Sequence, residues 1–188
     1  MSPISGLLAA AALALAGAGA LAADLMPAST ALCSPRQQVV FHCSLGAKSV
    51  SLCAATQGQR VTALNYRYGT RARLELTRAA STAQPFQATQ SQLAPGARVR
   101  QVWFDRGGYT YLLSQCVGGA CPYSAGLAVL QGEKIVMNRR CVRTVDDRAS
   151  FAPELARFGS DAASSEAKTG MLSFEDVDLG VERLYPTR

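Results

Sequence analysis

The chain reads as an all-β protein of about eight antiparallel strands, in an up-and-down barrel or a sandwich, braced by disulfides and followed by a short C-terminal helix. Short runs alternate apolar and polar residues, turn-forming residues separate those runs at regular spacing, and six cysteines occur in 188 residues. Charged residues make up 17% of the chain and 16 residues are glycine, which argues against a long helical protein or a coiled coil.

Residues 7–23, LLAAAALALAGAGALAA, precede the fold. A short apolar run that exits through Ala20-Leu21-Ala22 has the form of a secretory signal peptide, with cleavage expected after Ala22 or Ala23. Residues 1–6 carry no Lys or Arg, so the usual basic n-region is missing. Leu32 stands before Cys33 where a lipoprotein needs a small residue. No later segment reaches the roughly 20 apolar residues of a membrane span. These features predict a periplasmic or secreted protein with residues 1–23 as leader, 24–145 as a disulfide-stabilised basic β domain, and 146–188 as a short helix, linker and acidic tail.

Four hairpins fill the middle of the chain. Val39–Cys43 turns through Ser44-Leu45-Gly46-Ala47 into Lys48–Cys53. Arg60–Tyr68 places Leu64, Tyr66 and Tyr68 on one face and Asn65 and Arg67 on the other, and Gly69-Thr70 leads to Ala72–Leu76. Val99–Asp105 and Tyr109–Gln115 flank Arg106-Gly107-Gly108, whose glycines supply the positive φ angles of a tight hairpin. Gly126–Leu130 and Lys134–Asn138 flank Gln131-Gly132-Glu133. Ala79–Pro95, rich in Ser, Thr, Gln, Ala and Pro, reads as an exposed loop.

Export makes the even cysteine count a disulfide set rather than a metal site or a nucleophile. Cys116 and Cys121 enclose a flexible Val117-Gly118-Gly119-Ala120 loop and are the first expected pair. With a two-residue turn at Leu45-Gly46, residue 43 faces 48 and Cys53 faces 38. At about 3.3 Å per residue this holds Cys43 and Cys53 beyond bonding range. Cys33, just upstream of the first strand, could reach Cys53, leaving Cys43 for Cys141. Six cysteines allow 15 pairings, and beyond Cys116–Cys121 the sequence leaves the choice open. No second Cys/His pair completes a zinc site, so no metal or other cofactor is expected.

Residues 24–145 hold 14 Arg or Lys against four Asp or Glu, and residues 146–188 hold five against nine. Ser150 and Pro153 open a short helix over 153–157 that Gly159 ends. The acidic end, with Met171-Leu172-Ser173-Phe174 and Val177-Asp178-Leu179, is either a solvated tail or a segment that folds back on the basic domain or docks on a partner.

Little here points to catalysis. His42 is the single histidine, and the chain has no Gly-x-Ser-x-Gly elbow, phosphate loop or dinucleotide fingerprint. Glu75 and Asp105 each adjoin an arginine, which suits charge neutralisation better than a paired-carboxylate site. The arginines are more suggestive, with Arg60, Arg67, Arg71, Arg73 and Arg78 on the second hairpin and Arg98, Arg100 and Arg106 on the third. Arg forks take carboxylates and phosphates bidentately. Tyr66, Tyr68, Tyr109 and Tyr111 line either a recognition face or the core. The expected function is non-enzymatic binding of an anionic partner through Arg67, Arg71, Arg73, Arg98, Arg100 and Tyr123. That partner is an acidic protein or an anionic glycan or lipid, nucleic acid being disfavoured by export. The alternatives are an inhibitor or immunity-type protein that blocks a cell-wall hydrolase or toxin, and, further off, a hydrolase that uses His42.

The stretch Phe41-His42-Cys43-Ser44-Leu45-Gly46-Ala47-Lys48-Ser49-Val50-Ser51-Leu52-Cys53 resembles a family of small secreted proteins of Gram-negative bacteria that open with an F-x-C-x-x-G-x-K-x-V-S-x-C hairpin. Tyr66-Arg67-Tyr68-Gly69, Leu74-Glu75-Leu76, Tyr123–Val129 and Cys141 extend the likeness over most of residues 38–141. It implies export and a β-rich fold and transfers no catalytic residue. Small disulfide-bonded periplasmic barrels that inhibit lysozyme are a second comparison. Their Ser-Gly-x-x-Tyr type of loop is broken here by Ser124-Ala125-Gly126.

Overall fold

The computed structural model describes residues 31–57, 60–119, 121–142 and 170–184. Their strands are β1 (Gln37–Ser44), β2 (Ser49–Gln57), β3 (Arg60–Gly69), β4 (Leu74–Ala80), β5 (Phe86–Ala94), β6 (Ala97–Arg106), β7 (Tyr109–Val117), β8 (Ala125–Gln131), β9 (Lys134–Arg140) and β10 (Leu172–Phe174), with one helical turn, α1 (Val181–Leu184). Sheet A has the order β1-β2-β3-β4 and sheet B the order β10-β5-β6-β7-β8-β9. Neighbours pair antiparallel, except that β10 runs parallel to β5. Two separate sheets pack face to face, so of the two architectures expected, the closed barrel is ruled out.

The alternation read from the sequence becomes the inner faces of this sandwich. Phe41, Cys43, Val50, Leu52, Leu64 and Tyr66 of sheet A meet Phe86, Val102, Phe104, Leu113 and Leu127 of sheet B. Full burial of such side chains contributes about 1.5–3 kcal/mol each. Phe104 is the aromatic hub: Tyr66 meets it edge-on at 4.9 Å, Phe86 stacks at 5.1 Å and Tyr111 at 5.2 Å. The other face of sheet B carries a second apolar cluster of Val99, Trp103, Leu112, Ala128 and Leu130, covered by Val181 and Leu184. The C-terminal segment is sewn down there. The Gln101 side-chain amide donates to the Leu179 carbonyl at 3.2 Å and accepts from the Leu179 N–H at 2.8 Å. This part of the acidic end therefore folds back on the domain.

Three disulfides brace the fold: Cys33–Cys53, Cys43–Cys141 and Cys116–Cys121. The first hairpin reaches its register differently from expectation. Cys43 lies opposite Val50 and Ser44 opposite Ser49, because the turn spans residues 45–48 and is closed by the Leu45 N–H on the Lys48 carbonyl at 2.8 Å. A register shift between Val39 and Phe41 then brings Val39 opposite Cys53. Cys43 and Cys53 remain too far apart to bond, so the exclusion survives the changed turn. At the third hairpin Arg106 pairs with Tyr109 across Gly107 and Gly108, at φ 60° and 78°. Both are left-handed values that glycine adopts without strain.

One further expectation requires correction. Residues 79–95 are not an exposed loop: Ala79 and Ala80 finish β4, and Phe86–Ala94 form β5, with Phe86, Ala88 and Thr89 buried. Small and polar residues hid the alternation, and Pro95-Gly96 is the tight turn that pairs Ala94 with Ala97. The helix expected over 153–157 lies outside the described residues, as does the leader; the helical turn found is Val181–Leu184.

Candidate functional site

On the outer face of sheet A, register brings His42, Ser51 and Arg67 into one row across β1, β2 and β3. His42 Nδ1 lies 3.1 Å from Ser51 Oγ, which accepts the Leu32 N–H at 3.0 Å, while Arg67 donates to the Leu32 carbonyl at 2.7 Å. Both polar groups of the Leu32 peptide are thus held by this row. Arg71 donates to the Ala31 carbonyl at 3.4 Å, and Cys33 is bonded to Cys53. Arg67 and Arg71 therefore act as anchors for the segment that seals this face, beside a shallow cleft of about 280 Å³. Ser51 is fully buried beneath that segment. Its oxygen is engaged by a backbone donor, an arrangement that does not present a nucleophile to substrate.

Arg73 is exposed in the turn between β3 and β4. Arg98 and Arg100 lie elsewhere, on β6. They continue the inner face of sheet B past Val102, where Arg98 is exposed and Arg100 half-buried. Directly opposite on β5 stand Gln92 and Gln90, both exposed, and on β7 Val117 and Gln115. Directly opposed residues share one face of a sheet, so the two guanidinium groups project with the carboxamides of Gln90 and Gln92, beside the buried Gln115. No carboxylate faces them from β5 or β7. Among the described residues neither guanidinium makes a hydrogen bond or an ion pair; the ion pair present is Lys48–Glu75 at 2.7 Å.

Tyr123 occupies a third place. Its hydroxyl donates to the Leu184 carbonyl at 2.6 Å, and the Arg140 guanidinium lies 4.6 Å from its ring centre. Burial pushes its phenol up, partly offset by a hydrogen bond with Asn138 and the charge of Arg140. A cleft of about 500 Å³ runs beside it, under the Cys116–Cys121 loop. Gly118 fixes that loop at φ 129°, since a Cβ there would lie 1.9 Å from the Gly96 carbonyl oxygen. The six residues singled out in the sequence are thus split among the Leu32 anchor, the β3–β4 turn, the β6 face and the C-terminal strap.

The four tyrosines do converge. Tyr66, Tyr68, Tyr109 and Tyr111, with Leu127 and Met137, line a pocket of about 290 Å³ where the two sheets diverge. Gln90 and Gln92 were missed because β5 was missed, although the Pro95-Gly96 step between two alternating runs marks a hairpin. Glu75 pairs with Lys48, and Asp105 accepts a hydrogen bond from Thr110. Among the described residues no three His, Cys, Asp or Glu side chains cluster as metal ligands, and all six cysteines are bonded in pairs.

Fold and surfaces together define a disulfide-braced, two-sheet β-sandwich with a basic face and an aromatic pocket. No protein-family model, no curated protein and no solved structure matches the chain.

Proposed function

We propose that this is an exported binding protein, with no catalytic step of its own, that recognises an anionic partner through Arg98 and Arg100. The observation that carries this reading is the pair of guanidinium groups without partners among the described residues, set on one exposed face opposite Gln90 and Gln92. Residues two apart on a strand repeat at about 6.8 Å, so the pair meets two successive negative groups on one chain. Guanidinium forks bind carboxylate, sulfate and phosphate oxygens bidentately. The partner is accordingly an acidic protein or an anionic glycan or lipid headgroup. Three disulfides, and the absence among the described residues of any helix long and apolar enough to cross a membrane, are consistent with a periplasmic or extracellular protein. The apolar leader over residues 7–23 and the F-x-C-x-x-G-x-K-x-V-S-x-C hairpin support the same compartment.

Heparin retention under a salt gradient tests the reading. Arg98→Gln/Arg100→Gln should elute at clearly lower salt than the parent. Arg73→Gln/Arg139→Gln changes net charge equally and should elute close to the parent. Equal shifts for both double variants would reduce the binding to overall charge and sink the proposal.

A further inference from the structure

We infer that the cleft under the Cys116–Cys121 loop continues the arginine face, and that the two together hold an anionic glycan chain. This rests on the reading that Arg98 and Arg100 recognise an anionic partner, and it selects one of the chemistries named for that partner. Two residues that line the cleft, Gln115 and Val117, stand directly opposite Arg100 and Arg98. A third, Gly118, packs so closely on the β5–β6 turn that a Cβ there would clash with the Gly96 carbonyl and the Ala97 Cα. Arg98 is the next residue, so the cleft and the arginine pair share a wall.

The far side of the cleft carries a third guanidinium. Arg100, Gln115 and Ala125 form one row across β6, β7 and β8, and the Cys141 N–H donates to the Ala125 carbonyl at 2.9 Å. Three strand spacings of about 4.8 Å place Cys141 roughly 14 Å from Arg100. Its neighbour Arg140 lines the cleft with its guanidinium against the Tyr123 ring, and among the described residues it makes no hydrogen bond or ion pair. No Asp or Glu lines the cleft. Its volume of about 500 Å³ falls within the usual range for ligand pockets.

The surroundings of the pair choose among anionic partners. β6 lies between β5 and β7, so its backbone is already paired and a peptide cannot add to it as a strand. An acidic peptide would be held there by its carboxylates alone. A lipid needs apolar surface for its chains, and Val117 is the one large exposed apolar side chain directly opposite the pair. What the face offers besides charge is carboxamide, from Gln90 and Gln92. Gln92 gives one N–H to the Ala94 carbonyl at 3.4 Å, which leaves its oxygen and second N–H. Carboxamides donate and accept at once, as sugar hydroxyls do. An anionic glycan uses both groups, with acid oxygens on the guanidinium forks and hydroxyls on the carboxamides.

Hexagalacturonate and a hexaglutamate blocked at both ends carry six carboxylates each, so they differ in backbone and not in charge. Titrated into the oxidised protein by calorimetry, hexagalacturonate should bind about tenfold more tightly, as two added hydrogen bonds provide. Gln90→Ala/Gln92→Ala, at exposed positions, should erase that preference. Arg140→Gln should weaken hexagalacturonate about three- to tenfold, whereas Arg139→Gln, the same charge change outside the cleft, should leave it unchanged. Equal or tighter binding of hexaglutamate, no binding of either hexamer, a preference that persists without the carboxamides, or full affinity in Arg140→Gln would each overturn the assignment. Arg98→Gln/Arg100→Gln separates the two readings. If it leaves hexagalacturonate binding intact, the anionic-partner reading itself falls; if it abolishes binding while hexaglutamate binds the parent equally well, only the glycan falls.

Discussion

At the residue scale, Tyr66 carries a cost that its packing does not require. Its ring belongs to the aromatic hub around Phe104, whereas its hydroxyl is buried without a partner. Phenylalanine would keep the packing and remove the cost. Tyr66→Phe should therefore raise stability by about 1–2 kcal/mol, measured as a higher denaturant midpoint with an unchanged slope. Burial pushes the Tyr66 phenol above its ordinary value of 10.0, and Tyr123 moves the same way. Above that value the unfolded chain surrenders these protons while the fold retains them. The contribution to stability is thus complete below pH 10 and is lost as pH rises beyond it. Tyr66→Phe should flatten this alkaline decline, and an identical decline in both proteins would show that Tyr66 does not titrate as described. The clustering of Tyr66, Tyr68, Tyr109 and Tyr111 was legible as a choice between core and recognition face. Tyr66 turns out to be core, and all four line the pocket between the sheets.

Elements were readable where alternation was strong and opaque where neighbours decide burial. β6 and β7 announce themselves through apolar-polar alternation around Gly107-Gly108. β5 does not, since Ala88 and Thr89 become core only when β6, β10 and sheet A enclose them. The C-terminal strap was equally hidden: Leu179, Val181 and Leu184 are too sparse to declare a face, and they find one only on the outer side of sheet B. Its anchor, Gln101, is a polar residue on a central strand that became fully buried by pairing with the Leu179 backbone. The single tryptophan makes this testable, because Trp103 is 7% exposed beneath the strap. Truncation after Asp176 keeps β10 and removes Leu179, Val181 and Leu184. Trp103 emission should shift to longer wavelength while the far-ultraviolet β signal persists. Unshifted emission would mean that the strap does not shield the tryptophan.

For the molecule as a whole, the question is what holds two open sheets together. On one side the chain itself crosses from β4 to β5. On the other, Cys141 at the end of β9 is bonded to Cys43 on β1, and the Val142 N–H donates to the Ser44 carbonyl at 2.8 Å. Of the three disulfides, Cys43–Cys141 is the one that joins sheet A to sheet B. It also spans the longest segment, a separation of 98 residues against 20 for Cys33–Cys53 and 5 for Cys116–Cys121. Loop-closure entropy scales with the logarithm of that separation, which gives stabilisations of about 4.7, 3.3 and 2 kcal/mol respectively. Paired Cys→Ser variants should lose stability in that order. The Cys43/Cys141 variant should lose the most, because the sandwich then keeps one covalent crossing instead of two. Urea denaturation of the three double variants, with Trp103 fluorescence as the probe, measures the ranking directly. If removing Cys116–Cys121 proved the most damaging, stability would reside in the loop beside Gly118 and not in the clasp between the sheets.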